Sequence, residues 1–189
     1  MPNKKDDRRV RKTKTLLIQA FTKLLMKKDL KDISVSELTE LADVNRGTFY
    51  LHYRDIYDLY DKIENDILVK FNNIIRKHQR KTSRGIPFPA ILDALEFMAE
   101  NADICMAILR TNDAAFLSKL IEMNKPKDPE EWKLVFGEGK EGLYEIYYSY
   151  ITSGCVGVLR SWFMNGMKES PKKMAELTEK LMMNTIGLN

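Results

Sequence analysis

Val10, Leu17, Ile18, Phe21, Leu24 and Leu25 recur at intervals of three and four, which predicts an amphipathic helix over residues 8–27 that opens on Arg8, Arg9, Arg11 and Lys12. Ser34, followed three positions later by Glu37, has the spacing of a capping box and predicts a second helix starting at Val35. Val35, Leu38, Leu41 and Ala42 give that helix one apolar face, and it must end by Asp43, because Asn45 is a favourable N-cap for the next one. With Asn45 as cap, Val44 and Phe49 stand where a hydrophobic staple would place them. Two short helices joined by a tight turn have helix-turn-helix geometry.

Asp55 then caps a long helix that carries Ile56, Tyr60, Ile63, Ile67, Phe71 and Ile74 on one stripe and runs to Arg80, where TSRGIP breaks it. Helical patterns follow near 88–100, 102–110, 112–124, 130–136, 141–166 and 171–186, separated by PKDP, GEGKEG and NGMKESP. Pro171 stands at the first position of the last of these, where a missing N–H costs nothing. No stretch alternates at period two. The expected fold is all-α, with a first compact unit over residues 1–54 and a larger bundle over 55–189, to which the helix 55–80 connects it.

Hydrophobic residues at 44% and charged residues at 31% fit a globular chain rather than a disordered one. No apolar run approaches the roughly 20 residues of a membrane span. The charges of MPNKKDDRRVRK are not followed by the apolar stretch of a secretory signal, so the expected location is the cytoplasm, with no membrane partner. Cys105 and Cys155 stand far apart outside any CxxC spacing, and no cofactor or metal is expected. Net charge is +4, but it is unevenly spread. Residues 1–54 hold 13 Lys and Arg against 7 Asp and Glu, and the remainder holds 18 against 20. Such asymmetry points to nucleic acid or another anionic surface as the partner of the basic part.

The segment VNRGTFYLHYRD concentrates this chemistry. Phe49 and in part Tyr53 turn inward, leaving Arg46, Thr48, Tyr50 and His52 outward or sideways. Arginine can donate twice to a guanine edge, threonine and tyrosine hydroxyls reach phosphates, and their carbons can touch a thymine methyl. Gly47 lets the backbone approach a bulky surface at a cost of roughly 1 kcal/mol of helix propensity. The residues alone leave a second reading, in which Tyr50, His52 and Tyr53 pack against the long helix.

The order of amphipathic helix, ISVSELTELADVNRGTFYLHYRD and second long helix closely resembles the TetR family of bacterial transcriptional regulators. The C-terminal run YITSGCVGVLRSWFMNGMKESPKKMAEL is similar to the end of a TetR subgroup common in low-GC Gram-positive bacteria. The resemblance implies that the first three helices bind a double-stranded DNA operator, through Ser34, Asn45, Arg46, Gly47, Thr48, Tyr50, His52, Tyr53 and Arg54. It also implies that the fourth helix connects and that the last two pair with a second subunit in a homodimer. Two departures stand out: Asp43 occupies a turn position that is usually glycine, and Ile56 a position that often holds a phosphate-contacting lysine, so that contact is either missing or supplied by Arg54.

Tyr147, Tyr150, Ile151, Gly154, Cys155, Val158, Leu159 and Trp162 recur at helical spacing, and Gly154 and Gly157 permit close helix approach. That stripe is either an internal core or a face shared with a partner; Tyr150, Gly154, Gly157, Val158, Trp162, Leu177 and Leu181 are the expected interface residues. The resemblance further implies a pocket for a small hydrophobic or aromatic effector, for which Met98, Cys105, Met106, Leu109, Phe116, Trp132 and Tyr147 are candidate lining. The expected function is a ligand-responsive repressor, and the alternative is a TetR-like coactivator whose C-terminal part binds a protein. Catalysis is not expected. The two histidines, His52 and His78 of RKHQRK, accompany no phosphate-binding glycine loop and no histidine–carboxylate cluster.

Overall fold

The computed structural model describes residues 4–79, 88–139 and 142–186. The helices are α1 (Lys4–Leu25), α2 (Val35–Leu41), α3 (Arg46–Tyr50), α4 (Ile56–Gln79), α5 (Phe88–Glu100), α6 (Ala102–Asn124), α7 (Pro129–Phe136), α8 (Tyr144–Met164) and α9 (Pro171–Ile186), with a 3-10 turn at Leu30–Asp32. There is no strand among the described residues, and the fold is all-α. The TSRGIP break lies outside the described residues.

Two elements differ from the sequence expectation. Helix α1 begins at Lys4 rather than near residue 8. Segments 102–110 and 112–124 are one helix, α6, because Thr111 does not break it. Its Oγ1 donates back to the Ala107 carbonyl at 2.8 Å.

The chain divides into two compact units. The first comprises the described residues up to Ile67 together with Asp103–Asp113, and the second comprises Leu68–Ala102 with the described residues from Ala114 onward. The boundary expected after residue 54 therefore falls inside the first unit, and α4 and α6 each contribute to both.

In the first unit, α1 packs on α2 and α2 on α3. Leu17, Phe21, Leu25, Leu38, Phe49, Leu59 and Ile108 are fully buried there. Arg110 reaches back from α6 to donate to the Met26 carbonyl at 2.8 Å, closing the C-terminal end of α1.

In the second unit, α9 packs along α5 and α8. Ile91, Leu95, Phe136, Tyr148, Ile151, Trp162, Met174 and Met182 form its core. Trp132 stacks on Phe136 and Tyr144, with ring centroids 5.8 Å apart in each case, and meets Tyr148 edge-on at 5.5 Å. Gly166 (φ 72°) and Met167 (φ 50°) turn the chain after α8, and Trp162 Nε1 donates to the Glu169 carbonyl across that corner at 3.0 Å.

Candidate functional site

The helix-turn-helix is built from local hydrogen bonds that its sequence specifies. Ser34 Oγ accepts from the Glu37 N–H at 3.2 Å and starts α2. The return half of the expected capping box is replaced: the Glu37 carboxylate pairs with Lys28. Asp43 takes the left-handed conformation, φ 51°, so the position usually held by glycine is filled by one of the few side chains that tolerate it. Asn45 Oδ1 then accepts from the Gly47 N–H at 2.7 Å and starts α3. A Cβ on residue 47 would lie 3.1 Å from that oxygen, so glycine here makes room for the cap itself. Phe49 is fully buried, with Tyr50 edge-on against it at 5.4 Å and Tyr53 tilted against it at 5.5 Å.

A second set of contacts fixes the end of α3 against α4. Asp55 Oδ1 accepts from the Asp58 N–H at 2.8 Å, and Asp58 Oδ2 accepts from the Arg54 N–H at 3.0 Å. Lys62, which sequence reasoning missed, donates to Asp58 Oδ2 at 2.8 Å and to the His52 carbonyl at 3.0 Å, with its ammonium 5.2 Å from the centre of the Tyr53 ring. The bond from Lys62 and the Arg54 N–H hold the Asp58 carboxyl below its usual pKa. Burial, Lys14 and Lys62 lower that of His52, which is therefore neutral at pH 7 and offers one donor and one acceptor.

The expected DNA-facing residues divide accordingly. Arg46, Gly47, Asn45, Ser34 and Tyr50 are exposed, and Thr48 and His52 are half-exposed. Arg54 is 84% exposed along its side chain and lies 3.5 Å from Asp58. Tyr53, expected to turn partly inward and yet to contact DNA, is only 6% exposed and packs on Phe49. Ile56 is buried, so it offers nothing at the surface. Leu51 was not anticipated, and it is 80% exposed beside Tyr50. An apolar residue just past the last turn of a five-residue helix carries no periodicity from which its side could be read. Arg8 and Arg9 of α1 are exposed, and the side chains of Lys4 and Lys5 lie outside the described residues.

The second unit holds a cavity of about 140 Å³. Phe71, Ile91, Leu95, Met98, Phe136 and Ile151 contribute to a wall without a charged residue. Of the seven candidate lining residues, only Met98 lines it. Cys105, Met106 and Leu109 lie on the part of α6 that belongs to the first unit. Phe116 is buried without lining the cavity, and Trp132 and Tyr147 pack in the aromatic cluster behind Phe136.

On the outer side of α8 and α9, Tyr150 is 68% exposed, and Leu177 and Leu181 are about half exposed. Gly154 and Gly157 are exposed, and a Cβ added to either would meet nothing within 4 Å. Val158 is half-buried between the grooves on this face. Trp162, expected among them, is instead buried in the chain's own core.

A helix-turn-helix in a chain whose residues 1–54 are basic, joined to a helical second unit with its own cavity, is the architecture of a DNA-binding transcriptional regulator. A TetR-type family model described as transcriptional regulator C-terminal region matches residues 87–184. The chain belongs to the TetR family. No curated protein matches it. Similar solved structures include a TetR transcriptional regulator from Streptococcus agalactiae 2603V, with 20% identity, TM-score 0.65 and coverage of 94% of this chain and 97% of that one. NalD, the secondary repressor of the MexAB-OprM multidrug efflux pump in Pseudomonas aeruginosa, is 16% identical with TM-score 0.64, covering 93% and 96%. The dihydroxyacetone kinase operon activator DhaS is 17% identical with TM-score 0.59, covering 93% and 97%. At these identities the structures share the fold. The family is one of regulators rather than enzymes, and no helix among the described residues is long and apolar enough to cross a membrane.

Proposed function

We propose that this TetR-family regulator is a homodimeric repressor that reads a pseudo-palindromic operator with α3 and releases it when a small molecule enters the cavity of the second unit. The observation that carries the reading is the Asn45-capped helix, whose exposed Arg46, Tyr50 and Leu51 stand on a buried Phe49 anchor. Arg46 opens the helix, where side chains reach deepest into a major groove, and acts as the base reader. Thr48, Tyr50, Arg54 and Ser34 supply phosphate contacts, and Leu51 offers carbon to a thymine methyl or a sugar. The exposed arginines of α1 add counterion release.

The homodimer reading is supported by the exposed apolar side of α8 and α9 with its two open glycines. Repression is the simpler sign, because a dimer seated on a promoter blocks it by occupancy, whereas activation requires a further protein-binding surface. NalD is named as a repressor and DhaS as an activator, so the fold is compatible with both. Selection of binding sites from random duplexes with the purified protein tests the reading. Enriched sites should show dyad symmetry with half-sites one helical turn, roughly 34–36 Å, or a small multiple apart. Sites without a dyad would overturn it.

A further inference from the structure

The cavity of the second unit discriminates by charge, and this inference rests on its assignment above as the effector site. Its volume of about 140 Å³ is close to that of an engineered apolar cavity of about 150 Å³ in another protein that holds benzene, so one ring with a small substituent fits. Apolar side chains make most of the wall, among them Phe71, Ile91, Leu95, Met98 and Phe136. Of the described residues that line it, only Tyr148 and Cys155 can ionise, and neither does so near neutral pH. Burial first and the Glu122 carboxylate second raise the Tyr148 pKa, and burial pushes the Cys155 thiol up to about 11.

An ion brought into such a wall loses its water and gains no countercharge. The polar lining does not make up the loss. Tyr148 donates its hydroxyl hydrogen to the Ile121 carbonyl at 2.6 Å, Thr152 to the Tyr148 carbonyl at 2.7 Å and Thr178 to the Met174 carbonyl at 2.7 Å. Asn124 gives one amide hydrogen to the Leu120 carbonyl at 2.9 Å and keeps the other, but a single neutral donor does not balance a carboxylate. The Glu122 charge that acts on Tyr148 is negative and adds to the cost of an anion. For a cation, the rings of Phe71, Phe136 and Tyr148 offer cation–π attraction, which is small beside the lost hydration.

We propose that the cavity takes uncharged single-ring molecules and excludes their ionised counterparts, so that an aromatic carboxylic acid enters only in its protonated form.

Titration of the full chain with two pairs of near-isosteres tests this, nitrobenzene against benzoate and ethylbenzene against benzylammonium. Within each pair the shape is nearly constant and the charge is not. At pH 7 each neutral member should bind saturably, and each ion, read by its displacement of the neutral member, should bind at least about 100-fold more weakly. Benzoate should gain about tenfold in apparent affinity from pH 7 to pH 6, since both lie well above a carboxyl pKa of about 4, while nitrobenzene gains nothing. Nuclear Overhauser contacts from the nitrobenzene ring to the Met98 methyl, assigned with Met98→Leu, should place the ring in the cavity, because Met98 lines it and neither outer groove. An ion that binds within about 100-fold of its isostere, a benzoate affinity that ignores pH, neutral binding without the Met98 contact, or binding of neither neutral compound would overturn the proposal. The affinities are measured on the unaltered protein, so they stand whatever the variant does. Adding a selected DNA site to the same samples separates the two readings. Charge-selective binding without DNA release would sink the effector role alone, and sequence-specific DNA binding without nitrobenzene binding would sink this inference alone.

Discussion

Gly154→Leu distinguishes a solvated outer face from a shared one, because the two cases predict opposite signs. Within a single chain the change meets no obstacle, since a Cβ at residue 154 has nothing within 4 Å. The residue lies inside the 21-residue helix α8, so replacing glycine should stabilise an isolated subunit by about 0.8–1 kcal/mol. If a second copy covers this face, the added side chain enters a packed helix contact and costs about 1–3 kcal/mol. A two-fold interface presents the substitution from both subunits, so where both meet packed neighbours the penalty is about 2–6 kcal/mol. The lower end of that range already raises the dimer dissociation constant roughly 30-fold. Sedimentation equilibrium across a concentration series reads this directly, with thermal unfolding at low concentration reporting the subunit. The expected pair of results is weaker association together with an unchanged or raised unfolding temperature of the monomer. If the unaltered protein is a monomer at micromolar concentration, or if Gly154→Leu leaves association untouched while raising stability, the homodimer built on α8 and α9 is refuted.

Further outcomes concern the first unit. Asn45→Ala should lower stability by about 0.5–2 kcal/mol through loss of the α3 cap, whereas Asn45→Asp keeps the cap but sets a carboxylate near phosphate and should weaken DNA binding alone; calorimetry and a binding titration on both variants check this. Arg46→Ala should cost about 1–3 kcal/mol of specific binding and relax preference at one base pair per half-site, while Tyr50→Phe should weaken all sequences alike; site selection with each variant decides between the roles. The Asp58 carboxyl is held below its usual pKa, so its contribution to stability is present above about pH 4 and is lost as pH falls through the depressed value; Asp58→Asn should flatten that part of the acid-unfolding curve. Removing residues 1–9 should reduce the slope of log affinity against log salt by roughly 0.9 for each phosphate that the tail no longer neutralises, and an unchanged slope would show the tail to be a bystander.

The features legible in the sequence are those whose causes are local. Ser34, Asn45 and Asp55 each bond a backbone N–H two or three residues away, so side-chain type and spacing alone located the starts of α2, α3 and α4. Thr111 shows the limit of such signals, because a residue that leaves helices in one setting can bond back onto its own turn in another. The cavity was not legible, since its wall comes from α4, α5, α6, α7, α8 and α9 together with Pro126, and no single helix fixes which apolar residues meet. Cys105, Met106 and Leu109 look like pocket lining by type, yet the helix that carries them contributes to both units, and they fall on the part that belongs to the first.

Helix α8 shows what periodicity leaves open and how exposure resolves it. Its apolar residues encircle it, so the sequence grouped Trp162 with Tyr150 and Gly154 on one stripe. The structure separates them. Tyr148, Ile151 and Trp162 are buried in the core of their own unit, and the Trp162 indole N–H is satisfied by the Glu169 carbonyl, as a buried indole requires. Ile146, Tyr150 and Met164 are each well over half exposed on the same helix, with Gly154 and Gly157 bare between them. A helix needs one apolar face to join its own core. A second such face, continued on α9 by Leu177 and Leu181, is surplus to folding of the single chain, and an extended exposed apolar surface on a globular protein marks an interaction site. Under the homodimer proposal a second copy of the chain would supply the matching surface, because a two-fold axis lets the same patch cover its copy. The same symmetry would give the dimer two copies of α3, as a palindromic DNA site requires.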